Sequence, residues 1–272
     1  MVIFPKAKIN IGLRITDKRP DGYHNLQTIF YPVDLSDALE FVVPGERLEN
    51  DLFTMTGIPM VIKPEENLVM KALSKMREYC PIPFLKIHLH KMIPSGAGLG
   101  GGSSDAAAFL KILNRYFCFK LNDHELMEAA LSLGSDCPFF ILSQPAYAEG
   151  RGEKMTPVGR LPDGLFLIIL KPETDISTAD AFAGCTPNRT GTSLPDLYRM
   201  DITRWKDLIS NDFEKTLLVR YPEIEAIKGS LYSIGAVFCS MTGSGSAVYG
   251  IFKGRPDIPD NLRKYLVYTG IL

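Results

Sequence analysis

The stretch Pro94-Ser95-Gly96-Ala97-Gly98-Leu99-Gly100-Gly101-Gly102-Ser103-Ser104-Asp105 decides how this chain is read. Five glycines fall within the seven residues from Gly96 to Gly102. Glycine loses more backbone freedom on folding than any other residue, so a cluster of this density marks a backbone requirement. On its N-terminal side, Phe84-Leu85-Lys86-Ile87-His88-Leu89-His90 alternates, with Leu85, Ile87 and Leu89 on one face of a predicted strand. On its C-terminal side, Ala106, Leu110, Leu113 and Phe117 recur at helical spacing. A glycine loop therefore joins a strand to a helix N-terminus. Bare backbone N–H groups and the positive end of the helix dipole converge there, which makes an anion site suited to phosphate.

The loop is not of the G-x-x-x-x-G-K-[ST] type, which would put a lysine at Gly102. Gly96, Gly98 and Gly101 satisfy G-x-G-x-x-G, a weak match in any glycine-rich run. A dinucleotide fold would also need a second strand closing on an acidic residue about 20 positions on. Leu121-Asn122-Asp123-His124-Glu125-Leu126 reads instead as a loop entering another helix. A plain flexible linker is disfavoured because both flanking segments are strongly periodic.

The 272 residues suffice for one large domain or two compact ones. Apolar residues make up 46% and charged residues 22%, the balance of a soluble globular protein. A net charge of −1 gives no global basic field for nucleic acid, so phosphate must be held by local geometry. The five cysteines, at 80, 118, 137, 185 and 239, form no C-x-x-C pair. This pattern predicts reduced thiols and a cytoplasmic location. There is no signal-like N-terminus and no apolar run of membrane-spanning length, so no membrane partner is expected. The expected assembly is a monomer or a weak homodimer.

Ile9, Ile11, Leu13 and Ile15 alternate with Lys8, Asn10, Gly12 and Arg14, a strand whose polar face carries Lys8 and Asn10. Pro20-Asp21-Gly22 is a turn, followed by strands near 28–33 and 37–43. Asn67 can cap a helix with Val69, Leu73, Met76 and Cys80 on its apolar face. Another helix carries Leu126, Ala130 and Leu133 and ends at Gly134. Asp136-Cys137-Pro138 has the pattern of a cap and first turn. Gly150-Arg151-Gly152 fits a hairpin or bulge. Further on, a strand at 165–170, a short helix after Ser177, helices around 205–219 and 222–233, and a strand pair at 236–241 and 247–252 are predicted. Strands grouped as hairpins with helices between them argue for an α+β fold with mostly antiparallel sheets. Pro and Gly accumulate at 157–162, which predicts an N-terminal domain over 1–158 and a C-terminal one over 159–272.

Three separated blocks resemble the GHMP kinase superfamily: Pro5-Lys6-Ala7-Lys8-Ile9-Asn10-Ile11-Gly12-Leu13, the run from Pro94 to Ser104, and Met241-Thr242-Gly243-Ser244-Gly245-Ser246-Ala247. Two more blocks, Arg19-Pro20-Asp21-Gly22-Tyr23-His24-Asn25-Leu26-Gln27-Thr28 and Leu133-Gly134-Ser135-Asp136-Cys137-Pro138-Phe139-Phe140, are similar to one branch of it. Members of that branch phosphorylate the 2-hydroxyl of 4-diphosphocytidyl-2-C-methyl-D-erythritol with ATP, on the non-mevalonate route to isoprenoid precursors. The implied fold is a ribosomal S5 domain 2-like N-terminal lobe and a ferredoxin-like C-terminal lobe.

The resemblance implies roles that local sequence alone would not. Asp136, locally a helix cap, becomes the catalytic carboxylate that accepts or orients the hydroxyl proton. Lys8, locally a strand-face lysine, becomes its catalytic partner; the Ala-Lys-Ile-Asn register selects it over Lys6. Pro94, Ser95, Gly96, Ala97, Gly98, Leu99, Gly100, Gly101, Gly102, Ser103 and Ser104 become the ATP cradle. The serine hydroxyls would face the phosphates or the Mg²⁺ that arrives with the nucleotide, although both also suit helix caps. Asn67 is placed near the adenine, with its cap reading nearly as good. Tyr23 would stack on the cytosine, His24 would hydrogen-bond its edge, and Phe182 would lie on its opposite side. Asn10, Thr178, Gly243 and Ser244 are further expected substrate contacts. Asp105 stands where relatives often have Asn and is expected to face away from the phosphates. No dedicated protein metal site is evident, and His88 and His90 read as solvent-facing. The alternatives are a GHMP kinase for mevalonate or homoserine, neither of which has a base to stack, or a non-catalytic relative that binds ATP or another ligand.

Overall fold

The alternation around Ile87 forms β6 (Lys86–Lys91), in which Ile87 and Leu89 are buried. The computed structural model describes residues 1–60, 62–188 and 191–272. Two compact units divide the chain. The first holds Met1–Ala7, Leu35–Ser95 and Gly100–Ser143. In it β6 pairs antiparallel with β4 (Ala38–Val42) and parallel with β5 (Leu52–Gly57), and β1 (Val2–Ile3) adds to β4. A parallel pair needs a long crossover, and here it carries α1 (Leu68–Arg77).

Asn67 Oδ1 accepts from Val69 N at 2.9 Å and caps α1, which buries Val69, Ala72, Leu73 and Met76. Cys80, expected on that face, lies beyond the helix end and is exposed. α2 (Gly101–Tyr116) packs on α1 and buries Ala106, Leu110 and Leu113. Phe117 falls at the C-cap because the chain turns into left-handed backbone at Cys118 and Lys120. α3 (Asp123–Leu131) opens with a capping box between Asn122 and Glu125, and α4 (Cys137–Leu142) has Pro138 in its first turn. α4 packs on both α2 and α3.

The second unit holds Lys8–Asp34, Gly96–Leu99 and Gln144–Leu272. One sheet has the order β2-β3-β7-β8, from β2 (Lys6–Lys18), β3 (His24–Ser36), β7 (Ala146–Gly150) and β8 (Lys154–Pro157). The first residues of β2 and the last of β3 belong to the first unit. The other sheet is antiparallel with the order β10-β11-β9-β12, built from β9 (Phe166–Leu170), β10 (Phe238–Met241), β11 (Val248–Phe252) and β12 (Leu266–Ile271). The apolar run of β9 is buried, as its composition requires. α9 (Pro222–Ser233) packs on β10 and β11. Its Ile224, Ile227 and Leu231 share a core with Ile168, Cys239 and Val248.

α5 (Thr178–Ala183) is capped by Ser177, α6 (Leu194–Tyr198) by Ser193, and α10 (Asp260–Arg263) precedes β12. The single helix expected around 205–219 is two pieces, α7 (Trp205–Leu208) and α8 (Glu214–Arg220). Between them the chain pairs with β2: Leu13 N donates to Ser210 O at 3.0 Å and Asp212 N to Leu13 O at 2.8 Å. Asn211 there donates through Nδ2 to the carbonyls of Met241 and Gly243, at 2.9 and 2.8 Å. These tertiary bonds override the local helical pattern. No helix among the described residues is long and apolar enough to cross a membrane.

Candidate active site

The glycine run is divided between the units: 94–95 and 100–104 belong to the first, 96–99 to the second. In the first unit Gly100 is the N-cap of α2 with φ +73°, a conformation that a side chain would strain. The helix starts directly after it, so the amides of Gly101, Gly102 and Ser103 have no intrahelical acceptor. A Cβ at Gly102 would meet nothing closer than Leu68 Cδ1 at 3.6 Å, whereas one at Gly101 would press on Ile93 Cγ2 at 2.9 Å, so the first turn is open at Gly102. Positively polarised, unobstructed N–H groups of this kind suit a phosphate.

Ser103 and Ser104 are inside α2 and do not cap it. Ser104 Oγ donates to Lys6 O at 2.7 Å. Ser103 is hydrogen-bonded to the Cys137 thiol, whose pKa burial pushes up to about 11. That thiol is therefore neutral and unreactive at physiological pH. Pro94 is half-buried and Ser95 exposed. Asn67 is buried; besides capping α1 it donates through Nδ2 to Met55 Sδ at 3.4 Å. Asp136 precedes α4 with φ −83° and ψ −16°, and its side chain makes no cap hydrogen bond. Asp136 is half-buried and holds the N-cap position of α4 without that side-chain hydrogen bond.

Asp105 turns inward, onto a lysine that sequence reasoning did not single out. Lys91 Nζ donates to Asp105 Oδ2 at 2.8 Å and to Asp37 Oδ2, and all three residues are buried. Asp37 Oδ1 also accepts from Met92 N at 2.5 Å and Ile93 N at 2.8 Å. Asp105 Oδ1 is buried with no hydrogen-bond partner among the described residues. Burial pushes the Asp105 carboxyl up to about 7; Lys91 opposes the rise and Asp37 adds to it. The only signals in the sequence were Lys91 just ahead of the loop and Asp37 at a strand start.

In the second unit Lys8 is buried, and its Nζ donates to Asn10 Oδ1 at 2.6 Å and Gly98 O at 2.9 Å. The ammonium also lies 5.1 Å from the centroid of Phe30. Asn10, expected as a substrate contact, is buried in the same network. Its Nδ2 donates to Thr28 Oγ1 at 2.9 Å, and its Oδ1 also accepts from Thr242 Oγ1 at 3.2 Å. Its amide thus orients Lys8 and is committed within the protein. Thr242 Oγ1 is also 3.0 Å from Gly98 O. Gly98 has φ +72°, and a Cβ there would collide with the Thr242 carbonyl. Segment 96–99 thereby packs backbone to backbone on the turn that contains Gly243.

The turn before β3 is held by Arg19, which donates to both Asp21 carboxylate oxygens at 2.8–3.1 Å. Tyr23 N donates to Asp21 Oδ1 at 3.1 Å. Tyr23 is 52% exposed, and the Arg151 guanidinium lies over its ring, 4.4 Å from the centroid. The His24 ring stacks on Phe182 at 4.7 Å and 15°, and Phe182 meets Phe213 edge-on at 4.9 Å. Phe182 thus lies beside His24, the residue that follows Tyr23 in the chain, and flat rings stack wherever backbone brings them within reach. Thr178 and Ser244 are brought together, their hydroxyl oxygens 3.4 Å apart. His88 and His90 both share hydrogen bonds with the Thr56 hydroxyl, at 2.9 Å. No cluster of three or more His, Cys, Asp or Glu suited to a metal occurs among the described residues.

The two halves of the chain carry the marks of one class. The GHMP kinases N terminal domain family matches residues 67–144, and the GHMP kinases C terminal family matches residues 193–266. With its two units, α+β elements and glycine-run helix, the chain belongs to the GHMP kinases. A 4-diphosphocytidyl-2-C-methyl-D-erythritol kinase of Bacteroides fragilis is 47% identical over 253 residues, covering 93% of this chain and 92% of that one. One of Porphyromonas gingivalis is 42% identical over 260 residues, covering 95% and 94%. A crystal structure of 4-(cytidine 5'-diphospho)-2C-methyl-D-erythritol kinase superposes with a TM-score of 0.80 at 31% identity, covering 100% of this chain and 98% of that one. Within the GHMP kinases, the chain is a member of the 4-diphosphocytidyl-2-C-methyl-D-erythritol kinase family.

Proposed function

We propose that the chain transfers the γ-phosphoryl group of ATP to the 2-hydroxyl of 4-diphosphocytidyl-2-C-methyl-D-erythritol, giving the 2-phosphate and ADP. The observation that carries this reading is the stacked His24 and Phe182 rings, with half-exposed Tyr23 next to His24 in the chain and Thr178 and Ser244 hydrogen-bonded in the same unit. A nucleobase can use such a group; mevalonate and homoserine have nothing to stack on it. The first turn of α2, open at Gly102 and following left-handed Gly100, supports phosphate binding by residues 94–104.

In the reaction the hydroxyl oxygen attacks the γ-phosphorus, its proton passes toward Asp136, and the bond to the ADP oxygen breaks. Asp136, half-buried at the N-cap position of α4, is the carboxylate that orients the hydroxyl in this reading. Lys8, oriented by Asn10 and the Gly98 carbonyl, supplies a fixed positive charge toward the acceptor oxygen as negative charge develops. Mg²⁺ would arrive with ATP and would screen its phosphates. Asn67 borders the adenine while capping α1, and Gly243 with Ser244 steadies the diphosphate end of the substrate. A boundary at 158/159 separates the N- and C-terminal domains in this reading, between the two family matches.

A coupled ADP-release assay with the cytidyl substrate, mevalonate and homoserine tests the proposal. Turnover with the cytidyl substrate alone is expected. Faster turnover with either of the others, or none with any, overturns it.

A further inference from the structure

We infer that Arg151 is a positioning residue that fixes the Tyr23 ring for stacking and thereby sets affinity for the nucleoside end of the substrate. The inference rests on reading Tyr23 as the base-stacking residue.

Two turns bring the pair together. The first is the 19–23 turn: Arg19 N donates to Tyr23 O at 2.8 Å, and Asp21 ties Arg19 to the Tyr23 amide. The second is the tip of the β7–β8 hairpin. There Gly152 N donates to Glu149 O at 3.1 Å and Arg151 N to Glu153 Oε2 at 2.6 Å. β3 pairs Leu26 with Gly150, so this tip runs beside the turn that carries Tyr23.

Charge fixes the side chains as the backbone fixes the turns. Asp21 lies below the ordinary carboxylate range, first through its hydrogen bond from Arg19, with the Arg151 charge adding to the effect. The Arg151 guanidinium lies 4.4 Å from the Tyr23 ring centroid, and its charge also acts on Asp21 of the same turn. Tyr23 remains half exposed, the condition of an aromatic covered on one face. A lone tyrosine on a surface turn samples several rotamers, and stacking a base would have to restrict them. A cation held over one face restricts them beforehand, so more of the stacking free energy appears as affinity. The sequence showed Gly150-Arg151-Gly152 only as a hairpin or bulge; its contact with Tyr23 arises from the register of β3 and β7.

The test combines calorimetric binding of cytidine 5'-diphosphate with KM measurements. Arg151→Met keeps the stem and removes the charge. It is expected to weaken cytidine 5'-diphosphate about two- to five-fold and raise KM for the cytidyl substrate equally, leaving KM for ATP in place. Arg151→Lys should recover most of the loss. In a Tyr23→Ala background the Arg151→Met effect should vanish, because the two residues act as one unit. An undiminished effect there would mean that Arg151 acts directly on the diphosphate, and the inference falls. If Tyr23→Ala weakens binding but Arg151→Met does not, the inference falls and the base-stacking reading stands. If Tyr23→Ala changes nothing, both fall.

Discussion

At Asp136 the chain presents a carboxylate at the start of α4 and makes no cap with it. Asp136→Asn keeps the shape and removes the proton acceptor. Steady-state assays should show kcat lower by about 10²- to 10⁴-fold, with binding of a non-hydrolysable ATP analogue retained; turnover within tenfold of the parent would contradict the assigned role. Asp105 makes a different prediction. Its carboxyl titrates near 7 in the folded chain against an ordinary 3.8, because burial disfavours the charged form. The native state thus holds this proton more tightly than the unfolded chain. The stability it contributes is complete below about pH 4 and declines as pH rises toward 7. Asp105→Asn abolishes that decline, so its Tm relative to the parent should climb between pH 5 and 8; a constant difference would refute the shift. Of these residues, Asp136 is singled out in the sequence only by the resemblance carried by its Gly-Ser-Asp-Cys-Pro context. Lys91 and Asp37 were not, since 54 positions separate partners that only the folded sheet brings together.

Elements with strong periodicity, such as β6, α1 and α2, were legible because burial repeats at 2.0 or 3.6 residues, and β9 was legible as a short continuous apolar run. Elements decided by tertiary hydrogen bonds were not. The break between α7 and α8 depends on Leu13 in β2, and β5 is half-exposed, with Thr54 and Thr56 diluting its apolar signal. The glycine run was legible as a loop, but the reason for Gly98 was not: the Thr242 carbonyl occupies the space of a Cβ. Gly98→Ala should lower stability by at least about 1–2 kcal/mol through backbone strain alone. It should also raise KM for ATP, as the segment is pushed off its turn. Thermal melting and ATP kinetics check both, and an unchanged Tm would show that the approach is not tight.

For the molecule as a whole, the α+β character was legible from hairpin-like strand groups, and the superfamily from blocks spread over most of the chain. Less accessible was the assignment of 96–99 to one compact unit and 100–104 to the other, which no local pattern encodes. The β3–β7 register that sets Arg151 over Tyr23 was equally hidden. The central claim is that one alcohol of a cytidine diphosphate-linked polyol becomes a phosphate monoester at the expense of ATP. Phosphorus NMR of the chain incubated with MgATP and 4-diphosphocytidyl-2-C-methyl-D-erythritol tests it most directly. The account predicts a new monoester resonance that grows in step with ADP while the substrate's diphosphate signals persist. ADP appearing with free inorganic phosphate and no monoester, or loss of the substrate's diphosphate, would contradict it.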